Sequence, residues 1–482
     1  MRNRYELFRK CKVWIGKYKG QFTVLLTIYL VASWAIIRAN FSYVDDIGRT
    51  YAGYHGWLDW SRWSTEALAT LVHAGWHLTD ISPLPQIMAC VIMASGGIIL
   101  LDLFRNEKEV GFWNVVAVSL TGLAPYFLGI ISYKFDSPYM ALSFSISVVP
   151  FLFRNRSKKV YMISSAVCLL IMCTTYQASS GIYPMLVLFL SMQDIARGEK
   201  RVKVLEFIGI SAACYFVSLG LFWILLMREN GVTVPAGLGL VSNLISRYMA
   251  YYKMIYSDHT KIWLVLMIIV AAVYVYVICQ TTVMRKACIL LLGIFSVCVG
   301  SGLCFGAYLF ISEEAFDTRA MYGFHVFLAL MAVYASFHGR FWLSKLPYAA
   351  LAWSFLIFSL TYGNALVQQK DYMNYRVTLL AGDLNALEIM KTDEIKKIRI
   401  EGDIGLAPVI ANMSEAYPLL RRSIFTGFGE GFWGGYYFYH YLNMPDIEVV
   451  TDENECKDLP LIKDTMYHKI NGDSGHILIR LK

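Results

Sequence analysis

Two adjacent carboxylates, Asp45 and Asp46, stand in Phe41-Ser-Tyr-Val-Asp-Asp-Ile-Gly-Arg49, directly after the first long apolar run. Acids at the edge of a lipid-facing segment are costly, so a chain that keeps two together has a use for them. One use is general base catalysis. A sugar hydroxyl is a poor nucleophile until a base takes its proton during attack. Partial desolvation raises a carboxylate's pKa, and a neighbouring carboxylate raises it further, toward a range useful for a base. The same pair could instead cap or turn the chain ahead of Gly48. The residues alone leave both uses open, with a slight preference for Asp46 if one is the base.

Further polar groups gather around the pair. From Ser64 to Leu78 the apolar residues Ala67, Leu68, Leu71, Val72 and Leu78 alternate with a polar stripe of Glu66, Thr70, His73 and His77. That spacing predicts an amphipathic helix in the membrane interface. His73 and His77, four residues apart, could bind a metal. No third ligand is defined, and a hydrated polar face explains them as well, so the expected metal set is none, with a divalent ion left open. Tyr133-Lys-Phe-Asp-Ser-Pro138 reads as a tight turn in which Asp136 caps a helix and Lys134 snorkels. Tyr176-Gln177 ends another apolar run. Glu313, Glu314, Asp317 and Arg319 fill a third turn. Arg319 either binds a lipid phosphate through its planar fork or pairs with Asp317 at the surface. No Walker loop, dinucleotide fingerprint, zinc motif or Gly-x-Ser-x-Gly occurs, so nucleotide-driven chemistry has no support.

The elements that must position these groups are membrane helices. The chain has 482 residues, of which 57% are hydrophobic and only 16% charged, with mean hydropathy +0.48. A soluble chain carries about 25% charged residues. Apolar runs are expected at 21–39, 84–103, 111–131, 138–153, 160–176, 181–193, 205–227, 261–283, 287–311, 321–338 and 346–366, about eleven spans in all. The first follows a basic arm, residues 1–20, and lacks a small-x-small site, which argues against cleavage as a signal peptide. The net charge of +8 does not indicate nucleic acid, because the cations cluster in alternate short loops. Lys/Arg residues favour one set of loops about threefold, which predicts a multi-pass membrane protein with a cytoplasmic N-terminus. An odd span count then exports residues 367–482.

Cysteines fit this scheme. Cys90, Cys168, Cys173, Cys214, Cys279, Cys288, Cys298 and Cys304 lie in apolar runs and read as small core residues. Cys456 stands alone in the tail, so the tail has no internal disulfide. The tail reads as a small α/β domain. Residues 375–390 have helical spacing, and 397–401, 447–450 and 477–481 have strand character. Its Gly-aromatic run, residues 424–439, invites a glycan-binding role for Trp433 with Tyr436 or Tyr437, since flat rings suit sugar faces. The same aromatics could instead dock the tail on the helices or the bilayer.

At this point the chain resembles a family. Phe41-Ser-x-x-Asp45-Asp46 after the first span, Ser61-Arg62-Trp63 in the same loop, Tyr133-x-x-Asp136-Ser137, Tyr176-Gln177 and a late Arg319 together look like the Gtr-type O-antigen glucosyltransferases of serotype conversion. The resemblance covers residues 20–320 and is thin in the tail. Ser61 stands where the family more usually has glycine. The likeness implies a GT-C-type polytopic fold over residues 21–366, with loop 40–83 carrying the catalytic carboxylates. It implies a polyprenyl-phosphate sugar donor, most often undecaprenyl-phosphate glucose, and a lipid-linked surface polysaccharide as acceptor. Membrane lipids, a donor-synthesising glucosyltransferase and a flippase would be further partners, and no nucleic acid. Asp45 or Asp46 would then be the base, and Arg62 and Arg319 would hold the phosphate. Asp136 and Gln177 would position sugars, and Arg49, Glu66 and Lys134 join them as candidate contacts. Two rivals share many spans. A flippase predicts ionisable residues in mid-span, whereas the acids here collect at one face. A polymerase or ligase predicts a large Arg-rich loop, which this chain lacks.

Overall fold

A computed structural model describes all residues except 1, 229–231, 283, 314, 392–394, 431–433, 436, 439–446, 451 and 453, and leaves out the side chains of 2–12, 389 and 391. The chain is mostly helical with a small C-terminal sheet. Every apolar stretch expected from the sequence is a helix or part of one. The expected count of about eleven spans is not confirmed. Seven helices among the described residues are long and apolar enough to cross a membrane, or eight if a bent pair counts as one span. The bent pair is Phe112–Leu123 with Pro125–Ile131, at 60°. Pro125 cannot donate to the preceding turn, which places the bend there. The remaining expected spans form shorter helices: Ser137–Val148, Ile182–Ala196 and Gly323–His338.

The outer helices show why this is a membrane protein. Phe216, Ile224, Leu225, Ile268, Leu291 and Phe295 all point outward and are exposed. An apolar surface of this kind needs lipid, not water. Cys288 and Cys298 sit on the same outward surface, so they are not core residues as expected. The first helix, Arg2–Ala39, packs against the last, Leu346–Asn385. They touch at Gly363, where a Cβ would sit 2.4 Å from the Ala35 carbonyl carbon. The last helix continues unbroken past residue 366 and carries the chain into the C-terminal domain.

That domain is a five-stranded mixed sheet built from β1 (Lys396–Glu401), β2 (Ile447–Val449), β3 (Leu461–Asp464), β4 (His468–Gly472) and β5 (His476–Leu481). The order is β2-β1-β5-β4-β3, with β1 parallel to both neighbours and β3, β4 and β5 antiparallel. The three expected strands are β1, β2 and β5. Helix Pro408–Ala416 and a turn at Leu420–Ser423 connect the sheet to the bundle. Tyr417 meets the rings of Trp263 and Phe358, and Gln369 of the long helix bonds Gly405, Thr426 and Ala407. Cys456 is 2% exposed, behind the sheet.

Candidate active site

The chain leaves the first helix through left-handed Asn40 and Val44 and enters the short helix Asp45–Ala52. Val44 is the N-cap position and makes no side-chain cap. Asp45 and Asp46 are therefore the first two helical residues, where the helix dipole favours negative charge. Their fates differ. Asp46 is fully buried, and its oxygens accept backbone N–H groups from Tyr43 (3.1 Å), Lys134 (3.0 Å) and Phe135 (3.4 Å). It staples its own turn to the 133–136 turn. Burial pushes its pKa up to about 7, against the Lys134 N–H and ammonium, which lower it. Asp45 keeps 24% of its side chain open. The slight sequence preference for Asp46 as base thus meets a carboxylate with no room to touch a substrate.

Asp136 occupies the N-cap position of helix Ser137–Val148 but makes no cap bond. Its carboxylate instead accepts from Arg49 Nη1 and from Trp57 Nε1 at 2.6 Å, and lies 3.9 Å from Arg62 Nη1. Arg49 Nη1 is also 3.8 Å from Asp45. Arg49 is 3% exposed and lies over the Trp57 ring. It binds two carboxylates together and is no surface contact for a ligand. Trp57, at 0% exposure, is the partner that motif reading missed. A tryptophan inside the polar loop 40–83 was its one sequence signal.

Two other guanidinium groups flank Asp45. Arg62 lies over Tyr176, 5.0 Å from the ring centroid, and Arg319 over Tyr133 at 4.3 Å. Arg62 Nε and Arg319 Nη1 are buried and have no hydrogen-bond partner. Arg319 lies 3.9 Å from Asp317, but Asp317 is 76% exposed, so water screens that pair. Gly129 makes this placement possible. A Cβ there would meet Thr318 Oγ1 at 2.4 Å and the Arg319 nitrogen at 3.1 Å. The bent helix Pro125–Ile131 thus lies directly beneath the turn that presents Arg319. Burial and the charge of Asp136 raise the Asp45 pKa, while Arg49, Arg319 and Arg62 pull against them.

The remaining expected residues sit elsewhere or support this cluster. Gln177 donates to the Trp60 carbonyl at 3.0 Å and so holds the loop that carries Arg62. Lys134 is 4% exposed and pairs with Asp80 at 2.9 Å, so it does not snorkel. Glu66 pairs with His55 at 2.9 Å in a small satellite core with Trp57. The 64–78 stretch is not one helix: Trp63–Val72 ends at His73, and the His77 ring packs against Gly53. His73 and His77 therefore do not share a helix face. Trp433 and Tyr436 lie outside the described residues. Tyr437 is buried and donates to Asn374 at 2.8 Å.

A crevice of about 50 Å³ at the seam with the C-terminal domain is lined by Phe41, Ser42, Ile47, Thr50, Lys370 and Tyr437. A cavity of about 580 Å³ lies at the other end of the bundle, among Asp102, Arg154, Lys158, Asp194, Arg197 and Phe207.

Comparison with known proteins agrees with this geometry. The family described as "Glucosyl transferase GtrII" matches residues 34–336, a stretch that holds Asp45, Arg62, Asp136 and Arg319. An uncharacterized 55.3 kDa protein in the gtrB 5' region of Salmonella phage P22 is 22% identical over 423 residues, 83% of this chain and 86% of that one. No solved structure matches the chain. The protein is thus a glycosyltransferase by family, embedded through apolar helices. The chain belongs to the GtrII glucosyl transferase family.

Proposed function

We propose that the protein moves glucose from a polyprenyl-phosphate donor, undecaprenyl-phosphate glucose in a bacterium, to an O-antigen or related lipid-linked polysaccharide. The observation that carries this reading is the half-open Asp45 between two guanidinium groups, each with an unpartnered N–H. The donor's phosphodiester would lie against Arg62 and Arg319. An acceptor hydroxyl gives its proton to Asp45 as its oxygen attacks the anomeric carbon. The sugar–phosphate C–O bond breaks, and the electron pair leaves with the polyprenyl phosphate, whose charge the two arginines hold. The activated donor supplies the driving force, so no nucleotide is required.

Asp136 is 1% exposed and bound by Arg49 and Trp57, so it is not placed as a nucleophile. One available carboxylate supports a single displacement, with inversion at the anomeric carbon. The test is purified protein with radiolabelled polyprenyl-phosphate glucose and lipid-linked acceptor, with the product linkage read by NMR. Transfer with inversion supports the reading. Absence of transfer from this donor, or retention, contradicts it.

The Lys/Arg loop asymmetry supports an Asp45 end that faces away from the cytoplasm, with the C-terminal domain exported. Buried Cys456 cannot report on this. A cysteine placed at exposed Ser474 should react with an impermeant maleimide on intact spheroplasts. Labelling only after lysis would reverse the orientation.

A further inference from the structure

Arg422 belongs to the C-terminal domain, yet its guanidinium reaches into the helical bundle. Its Nε lies 3.1 Å from Asp258 Oδ1, and Nη2 donates to Asp258 Oδ2. Asp258 is buried and also accepts from the Tyr126 hydroxyl at 2.7 Å. A residue that only docked the domain would need no more than this. Arg422 does more. Its Nη1 donates to the Phe316 carbonyl, and Nη2 lies 3.6 Å from Met321 Sδ. Phe316 and Met321 bracket the turn Thr318–Ala320, which presents Arg319.

The next residue reaches the other half of the site. The Ser423 carbonyl accepts from the Tyr43 hydroxyl at 2.7 Å, and Phe425 meets the Tyr43 ring at 6.0 Å. Tyr43 in turn gives its N–H to Asp46, and its ring packs edge-on against Tyr133, the ring beneath Arg319. Two consecutive residues of the C-terminal domain thus hold the segment with Asp45 and the segment with Arg319.

We infer that Arg422 is a positioning residue. It fixes the Phe316–Met321 segment, and with it the distance between Arg319 and Asp45, so that transfer requires the C-terminal domain to be docked. The inference deepens the proposed function and rests on Arg319 as a phosphate-holding cation. Its chemistry is specific to arginine. Lysine keeps the charge toward Asp258 but lacks the planar fork that reaches Asp258 and the Phe316 carbonyl together.

The test uses the full-length protein in detergent with polyprenyl-phosphate glucose and acceptor. Arg422→Lys should leave the acceptor KM unchanged and lower donor kcat/KM by about 10²-fold, as expected when a reacting group is displaced by about 1 Å. In an Arg319→Ala background the same change should cost less than about twofold, because the positioned group is already gone. Equal losses in both backgrounds would overturn the positioning role. Tyr43→Phe keeps the ring and removes the hydroxyl, with its bonds to the Ser423 carbonyl and to Tyr362. It should lower donor kcat/KM by about tenfold, the worth of one good hydrogen bond. Unchanged donor kinetics in that variant would overturn the strut. Hydrogen exchange gives a readout independent of sugar chemistry. Arg422→Lys should speed exchange in residues 316–321 and leave β1 protected. Unchanged exchange there would overturn the latch. Faster exchange there, alongside a wild type that ignores this donor, would uphold the latch and fault the donor instead.

Discussion

The two ends of the helical bundle both collect charge, but they treat it differently. They lie about 35 Å apart by the helical rise between Tyr18 and Phe41. At the Tyr18 end, four cations pair with acids around the 580 Å³ cavity. Arg154 pairs with Asp194, Lys158 with Glu206, Lys203 with Glu199 at 3.7 Å, and Arg105 with Asp102 at 2.8 Å. Trp14 and Tyr18 complete the Asp102 shell. At the Asp45 end, Arg62 Nε and Arg319 Nη1 are buried and have no hydrogen-bond partner. A buried unpaired donor costs about 1–3 kcal/mol, so a fold retains it where a ligand will supply the acceptor. The unsatisfied N–H groups set the Asp45 end apart and are what the proposed function rests on.

That contrast can be broken from either side. The largest effect is expected from removing both cations that keep an unpartnered N–H. Arg62→Ala with Arg319→Ala should lower kcat by at least about 10³-fold, because a single donor to developing charge is worth 10²–10³. Kinetics on the folded double variant check this, and activity within tenfold of wild type would break the contrast. A pH profile sharpens it next. The raised Asp45 pKa means that, as the pH falls, the base form is lost above the ordinary aspartate value. Log kcat/KM should therefore rise with unit slope, about tenfold per pH unit, up to an inflection above the ordinary value near 3.9. A profile flat down to pH 4 would contradict that. The smallest effect belongs to the paired end. Asp194→Asn should cost roughly 1–3 kcal/mol of stability by leaving Arg154 without its partner. Transfer by the folded variant should stay within about twofold of wild type. A selective loss of donor turnover there would place chemistry at the wrong end of the bundle.

Much of this was readable in the chain, and the failures have identifiable causes. Apolar runs located the helices because lipid demands internally satisfied backbone. Three runs form shorter α-helices, and one of them tightens into a 3-10 turn, Val149–Phe153, after Ser137–Val148. Asp45, Asp136 and Arg319 were legible as polar residues at run ends, and Arg62 entered only through the family resemblance. Their individual roles were not legible. Asp45 and Asp46 are chemically identical in sequence, and only the 133–136 turn, distant in the chain, separates an open carboxylate from a stapled one. Lys134 and Glu66 looked free because Asp80 and His55 are brought to them by loop folding. Helical periodicity overran Val72 because His73 and His77 keep the stripe after the backbone has left the helix. Strands β3 and β4 went unseen because Leu461–Asp464 and His468–Gly472 mix exposed and polar residues without clean alternation. Arg422 carried no signal, since its meaning lies entirely in Asp258 and Phe316.

The two adjacent aspartates offer the most direct test, because they differ in environment and not in chemistry. Asp45→Asn and Asp46→Asn are purified side by side, and single-turnover transfer is measured together with the thermal midpoint. The account predicts that Asp45→Asn melts like wild type, binds donor and transfers about 10²–10⁴-fold more slowly. It predicts that Asp46→Asn loses stability, by roughly 1–3 kcal/mol for disturbed buried hydrogen bonds, while its folded fraction still transfers. A stable, inactive Asp46→Asn beside an active Asp45→Asn would contradict it.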